Sequence, residues 1–265
     1  MLKIKTYRDD ELYLLMKETL DMFYDAHSKL NFKKIGEKNN VTNTVWVLVM
    51  LSFRLRWLCE SILSFVDYYS AVILYRACIE HFLKYMYIFV SCFSKGDDIG
   101  KEYVSEEHIS DEMLTKYRKA LWPDNLESTK IIKKPDKFRQ LKKRTSETAN
   151  KFRFSEVVTS LFGLLDKFYD GPEDIQKVLR KEIIEYSTAS SYVHAGPSAV
   201  LSFETEPKKN IDMSSMLFTM LAHLNTIRLL SRYPSEDQDK LKILSKKIDE
   251  IFKKAFAIYE KNIIS

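Results

Sequence analysis

Apolar positions recur at helical spacing along most of this chain, and the breadth of each stripe predicts where its helix sits. Leu12, Leu15, Met16, Leu20 and Phe23 line one face of the first segment. The acids Asp9, Asp10 and Glu11 ahead of them favour a helix N-terminus, so a helix is predicted from Asp9 to about Phe32. KKIGEKNN then reads as a turn. A second helix starts at Thr42 or Asn43, both good caps, and runs through WVLVMLSFRLRWLCESILSF. Asp67 begins or restarts a third, which reaches about Ser94 before Gly96 stops it. Both of these helices are apolar over most of their circumference, which predicts an antiparallel pair at the centre of a bundle.

From Lys95 to Arg153 the pattern breaks into Lys, Asp, Glu and Ser with Pro123 and Pro135. This stretch reads as an exposed, charged insertion with one short helix, Ser110 to Leu121. Its basic run from Lys130 to Arg144 suits either nucleic-acid contact or a solvated helix face. Phe138 is its one interleaved aromatic, which favours the solvated face. Helical sequence resumes at Ser155, breaks at Gly171 and Pro172, and restarts on Glu173 and Asp174. After Gly196 and Pro197 the segment AVLSFE is a candidate for extended chain, and two more helices follow, Asp212 to Tyr233 and Ser235 to about Asn262. The expected organisation is one helical domain over 1–265. It comprises an N-terminal helix within 1–40, a central pair over 43–94, the insertion at 95–153 and C-terminal helices over 155–262.

Composition narrows this to an all-α class. Six glycines and six prolines against sixteen Phe and fifteen Tyr leave too few turn residues for the many reversals of an all-β or α/β fold. A chain of 265 residues, 45% hydrophobic, is long enough to bury a sizeable core. The formal charge of +5 is compatible with RNA as a partner, though solubility accounts for it equally well. Cys59, Cys78 and Cys92 have neither disulfide nor zinc-site spacing, so a reducing cytoplasm is expected. MLKIKTYRDDELYLL has no apolar signal core. Charged residues also interrupt Val45–Phe93 too often for a membrane span. His27, His108 and His223 are isolated, so no metal site is expected, and without a P-loop or GxGxxG turn no cofactor is expected either.

The candidate chemistry lies in DYYSAVILYRACIEHFLKYMYIF, where Arg76, Glu80 and His81 interrupt an apolar run. An unpartnered buried charge costs several kcal/mol, roughly, so such residues need each other, water or a ligand. Arg76 and Glu80 stand at i and i+4, the spacing of an ion pair on one helix face. His194 precedes Ala195, Gly196 and Pro197, where an imidazole caps a helix end or joins Arg76, Glu80 and Tyr192 in a polar cluster.

A-x-x-L-x-R-x-x-x-E, here Ala71, Leu74, Arg76 and Glu80, is followed on a later helix by Y-x-x-x-S-x-Y-V-H, here Tyr186, Ser190, Tyr192, Val193 and His194. This combination resembles the HEPN-like helical proteins of bacteria, among them abortive-infection proteins of the AbiV kind. Arg76 and His81 also match the R-x4-H form of the HEPN motif. The resemblance covers roughly residues 43–94 and 155–230. It implies an all-α bundle, commonly a homodimer with the motif helices facing each other, and in catalytic members a metal-independent endoribonuclease acting as a toxin-like or phage-defence effector. Carried over, His81 serves as general base or acid at the ribose 2′-hydroxyl, Arg76 stabilises phosphate charge, and Glu80 completes the set; Tyr186, Tyr192 and His194 are the matching binding residues. Yet Ala77 stands where catalytic relatives carry Asn, Asp or His, and Glu80 is placed to neutralise Arg76. The alternative is a catalytically inactive HEPN-like module that senses a ligand or binds a protein partner, for instance one encoded in the same operon. Trp46, Trp57 and the region of Tyr85 and Tyr87 are the expected dimer anchors, with the motif helix near the axis.

Overall fold

The computed structural model describes residues 11–29, 40–64, 68–105, 151–168, 174–193, 213–233 and 237–264. Every regular element among them is helical. The long elements are α1 (Glu11–Lys29), α2 (Thr42–Ser64), α3 (Tyr68–Lys95), α4 (Phe154–Phe168), α5 (Asp174–Val193), α6 (Met213–Asn225), a 3-10 segment (Thr226–Arg232) and α7 (Gln238–Ile264). No described helix is long and apolar enough to cross a membrane. The first stripe behaves as its period requires, with Leu12, Met16, Leu20 and Phe23 all buried. The segments predicted over 110–121, 130–144 and 199–204 lie outside the described residues.

α2 and α3 form the antiparallel pair. Thr44 lies beside Cys92, Ser52 beside Tyr85 and Cys59 beside Cys78. α3 is the true centre, with α2, α4, α5 and α6 packed round it. α2 departs from the expectation, because its outward face leaves Trp46 48%, Met50 36% and Trp57 63% exposed. Tyr85 and Tyr87, expected as dimer anchors, are instead buried within the chain. Tyr85 donates to the carbonyl of Thr226 at 3.0 Å, and Tyr87 meets Phe152 edge-on. The physical reason is that both side chains point into the chain's own core, Tyr85 between α2 and the 3-10 segment and Tyr87 against Phe152.

The edges of the predicted insertion belong to the core. Gly96 ends α3 in the left-handed region at φ 72, its N–H donating to the Cys92 carbonyl at 2.8 Å. The chain then turns back, and Asp98 supplies the acceptor for the start of α2, taking hydrogen bonds from the Thr44 amide at 2.6 Å, Thr44 Oγ1 at 2.7 Å and Asn43 Nδ2 at 2.7 Å. A cap expected from Thr42 or Asn43 is thus made by a carboxylate more than fifty residues away. Gly100 donates to Thr44 Oγ1 at 2.9 Å, and a Cβ there would stand 2.3 Å from the Thr44 nitrogen, so only glycine fits. Ile99, Tyr103 and Phe152 are buried, with Tyr103 and Phe152 in edge contact.

The helix predicted over Asp212 to Tyr233 is divided. α6 ends at Asn225 and the chain tightens into a 3-10 segment. Thr226 Oγ1 donates to the His223 carbonyl at 2.5 Å while Tyr85 takes the Thr226 carbonyl, so side chains satisfy backbone groups that an unbroken helix pairs internally.

Candidate functional site

Arg76 sits at the seam between α3 and α5. Its Nε donates to Ser190 Oγ at 2.9 Å and its Nη2 to the Tyr186 hydroxyl at 2.6 Å, with the guanidinium carbon 4.7 Å from the centre of the Tyr186 ring. Tyr186 is itself clamped by Phe154 of α4, the rings stacked at 3.5 Å and 10°. The Y-x-x-x-S spacing on α5 works because residues four apart share a helix face, so one arginine reaches both. The structure therefore brings Arg76, Tyr186 and Ser190 together across two helices.

Glu80 stands 3.9 Å from Arg76 Nη1 and only 3.0 Å from Lys84 Nζ. Its closer partner is the lysine, one turn further on, and both Arg76 and Glu80 keep about a quarter of their side-chain surface in solvent. Burial opposes the charge on Glu80, but Lys84 with help from Arg76 and His81 outweighs it and holds the carboxyl below its ordinary value. The expected Arg76–Glu80 pair is accordingly one side of a three-membered charge cluster, partly open to water.

His81 faces a different seam. Five positions on a helix turn the side chain by about 140° from Arg76. Its Nδ1 donates to the Ala77 carbonyl at 2.8 Å, on its own helix. Burial, reinforced by the Lys84 and Arg54 charges, keeps the imidazole below its ordinary pKa in spite of that hydrogen bond. The ring is neutral near pH 7 and its Nε2 is the acceptor nitrogen. Tyr192 falls in the last turn of α5 with its side chain outside the described residues, and His194 lies outside them altogether.

A second polar centre, deeper than the first, was not singled out from the sequence. His223 of α6 and Glu182 of α5 meet at 3.0 Å, both fully enclosed, with Phe82 stacked on the imidazole at 4.2 Å and 15°. Burial pushes the Glu182 carboxyl up, and the facing His223 limits the rise. One turn along, Glu185 accepts from the Tyr75 hydroxyl and from Ser215 Oγ at 3.1 Å, and lies 3.6 Å from Lys181. Lys181 in turn donates to the Tyr259 hydroxyl at 3.1 Å. Burial and the Glu185 charge push the Tyr75 phenol well up, so it serves as a donor throughout the ordinary range. The chain carries a signal for this centre: Glu182 occupies the inward stripe of α5 between Leu179 and Ala189, and His223 lies between the buried Met220 and Leu224 of α6. A polar residue at a core position of each of two helices marks a pair.

No described group of His, Cys, Asp and Glu side chains has the geometry to hold a metal ion. Comparison with protein-family models, with curated proteins and with solved structures returns no match.

Proposed function

We propose that this protein is a HEPN-like helical module that acts by binding in a defence or stress system, in which Arg76 is a latch between helices and not a phosphate clamp. The observation that carries this reading is the engagement of the guanidinium by Ser190, Tyr186 and the Glu80 side. A phosphate would have to displace those partners, and the Arg76 and His81 side chains address different seams of α3. Purified protein incubated with tRNA in EDTA is expected to leave the RNA intact. Cleavage that His81→Ala abolishes without lowering the melting temperature would replace the binding module by an endoribonuclease.

That second reading has one observation in its favour. A neutral imidazole with Nδ1 tied to a carbonyl, which leaves Nε2 as the acceptor, is the form that a general base at a ribose 2′-hydroxyl requires. The same tRNA assay decides between the two.

The module is expected to pair as a homodimer through the outer face of α2. Its outer ridge reads Trp46, Met50, Phe53, Trp57, with Phe53 half-buried against the core and the other three exposed, at spacings of four, three and four, which run the same in both directions and suit a two-fold axis between Met50 and Phe53. Light scattering tests this. A mass fixed near 31.3 kDa at all concentrations removes the dimer, whereas a doubled mass that Trp57→Glu returns to the monomer supports it.

A further inference from the structure

α1 and α7 pack side by side and leave between them an open groove of about 600 Å³. Met22 and Leu244 lie half-buried in it, while Leu14 at 54% and Ile243 at 59% exposed stand at its mouth. Two large aliphatic side chains held in water beside a concave apolar floor give the groove an apolar base. The walls are segregated by charge. Glu18 and Asp21 rise on the α1 side, continued by Asp25 and with Lys17 the one cation among them, and Lys240 and Lys247 rise on the α7 side. Among the described residues, Glu18, Asp21 and Lys247 have no ion-pair partner, so the groove holds oppositely charged walls apart.

From this shape and charge we infer that the groove is the docking site for an amphipathic helix of a partner protein, carrying an apolar stripe with basic residues along one flank and acidic residues along the other. The concavity calls for a convex occupant, and one helix laid on two is the ordinary way to fill such a trough. The α1 residues that line it span Leu14 to Asp25, which corresponds to about three turns of a bound helix at roughly 1.5 Å per residue. Opposite charges on the two walls select an occupant with two unlike flanks and reject one whose flanks are alike, because one flank would then face its own sign. A helix with mixed flanks satisfies both walls in one of its two directions, so the charges also set its polarity. This inference rests on the reading of the protein as a binding module, and names the partner for it.

The test uses three synthetic fluorescein-labelled helical peptides with the same leucine stripe, one with Lys on one flank and Glu on the other, one with Glu on both and one with Lys on both. Fluorescence anisotropy with the full-length protein is expected to show the mixed peptide binding about tenfold more tightly than either of the others, with the preference fading at high salt. The double variant Glu18→Lys with Asp21→Lys, at exposed positions that leave the fold intact by circular dichroism, makes both walls basic. It is expected to lose that preference and take the all-Glu peptide best. Failure of the mixed peptide to bind, equal binding of all three, or an unchanged preference in the double variant overturns the inference. A protein mass that grows without limit and is capped by the same double variant also overturns it, since the occupant is then the α2 ridge of another copy in a head-to-tail contact that does not close. Failure here is separable from failure of the module reading, which falls only if RNA is cut.

Discussion

Replacing His223 by leucine tests the deepest polar contact in the bundle. The two residues are enclosed, Glu182 at 1% and His223 at 0% exposure, and joined by one hydrogen bond of 3.0 Å. Leucine fills most of the imidazole volume, so the cavity left is small and the electrostatic consequence dominates. Glu182 Oε1 already has no hydrogen-bond partner among the described residues, and the substitution strips Oε2 of its own. Removing one member of a buried pair costs about 3–5 kcal/mol, because the remaining group must ionise without a partner or be held protonated. For a domain of this size that is a fall in melting temperature of roughly 6–20 °C.

The size of the loss should depend on pH in one direction. The Glu182 carboxyl already titrates above its ordinary value, and losing His223 raises it further. A group whose pKa is higher in the folded state stabilises that state at low pH and loses this contribution as pH rises through the folded value. The deficit of His223→Leu is therefore smaller in mildly acid than in mildly alkaline buffer. Glu182→Leu combined with His223→Leu removes both polar groups and is expected to recover most of the loss, since apolar replacement of a whole buried pair is often neutral or stabilising by about 1–4 kcal/mol. Urea unfolding followed by circular dichroism on wild type, both single variants and the double closes the cycle. A loss under about 1 kcal/mol for His223→Leu, or strictly additive single variants, refutes the argument.

Four shorter predictions address other parts of the molecule. Gly100→Ala places a methyl 2.3 Å from the Thr44 nitrogen and should destabilise by about 1–3 kcal/mol in the same urea assay; Asp98→Ala, which strips the cap of α2, should cost about 0.5–2 kcal/mol. Tyr186→Phe keeps the stack on Phe154 and the ring beneath Arg76 but deletes the 2.6 Å bond, for an expected loss near 1.5 kcal/mol, the low end for a bond to a charged group because Arg76 keeps some solvent. An NMR titration of His81 should give a midpoint below the ordinary 6.5, and since the folded value is the lower one, stability contributed by this ring is present above that pH and lost as pH falls through the folded value. A midpoint above 6.5 contradicts the placement of Lys84 and Arg54 beside it.

What the sequence determined by itself was the set of helices and their faces. The α1 stripe, the start of α2 at Thr42, the stop at Gly96 and the shared face of Tyr186 and Ser190 on α5 all follow from local rules, because helix period, capping and turn chemistry act between residues a few positions apart. What only the tertiary structure decided were contacts between residues far apart in sequence. That α3 and not α2 takes the centre follows from four neighbours crowding round one helix, which equal apolarity of the two could not reveal. The capture of the Thr226 carbonyl by Tyr85, the capping of α2 by Asp98 and the meeting of Glu182 with His223 depend on how helices cross and slide, at a precision of an ångström. Spacing along the chain places a side chain on a face. Only packing chooses which side chain of another helix it meets, and for Arg76 and His81 that choice sends two neighbours in sequence to opposite partners, one to α5 and the other to its own backbone beside α2.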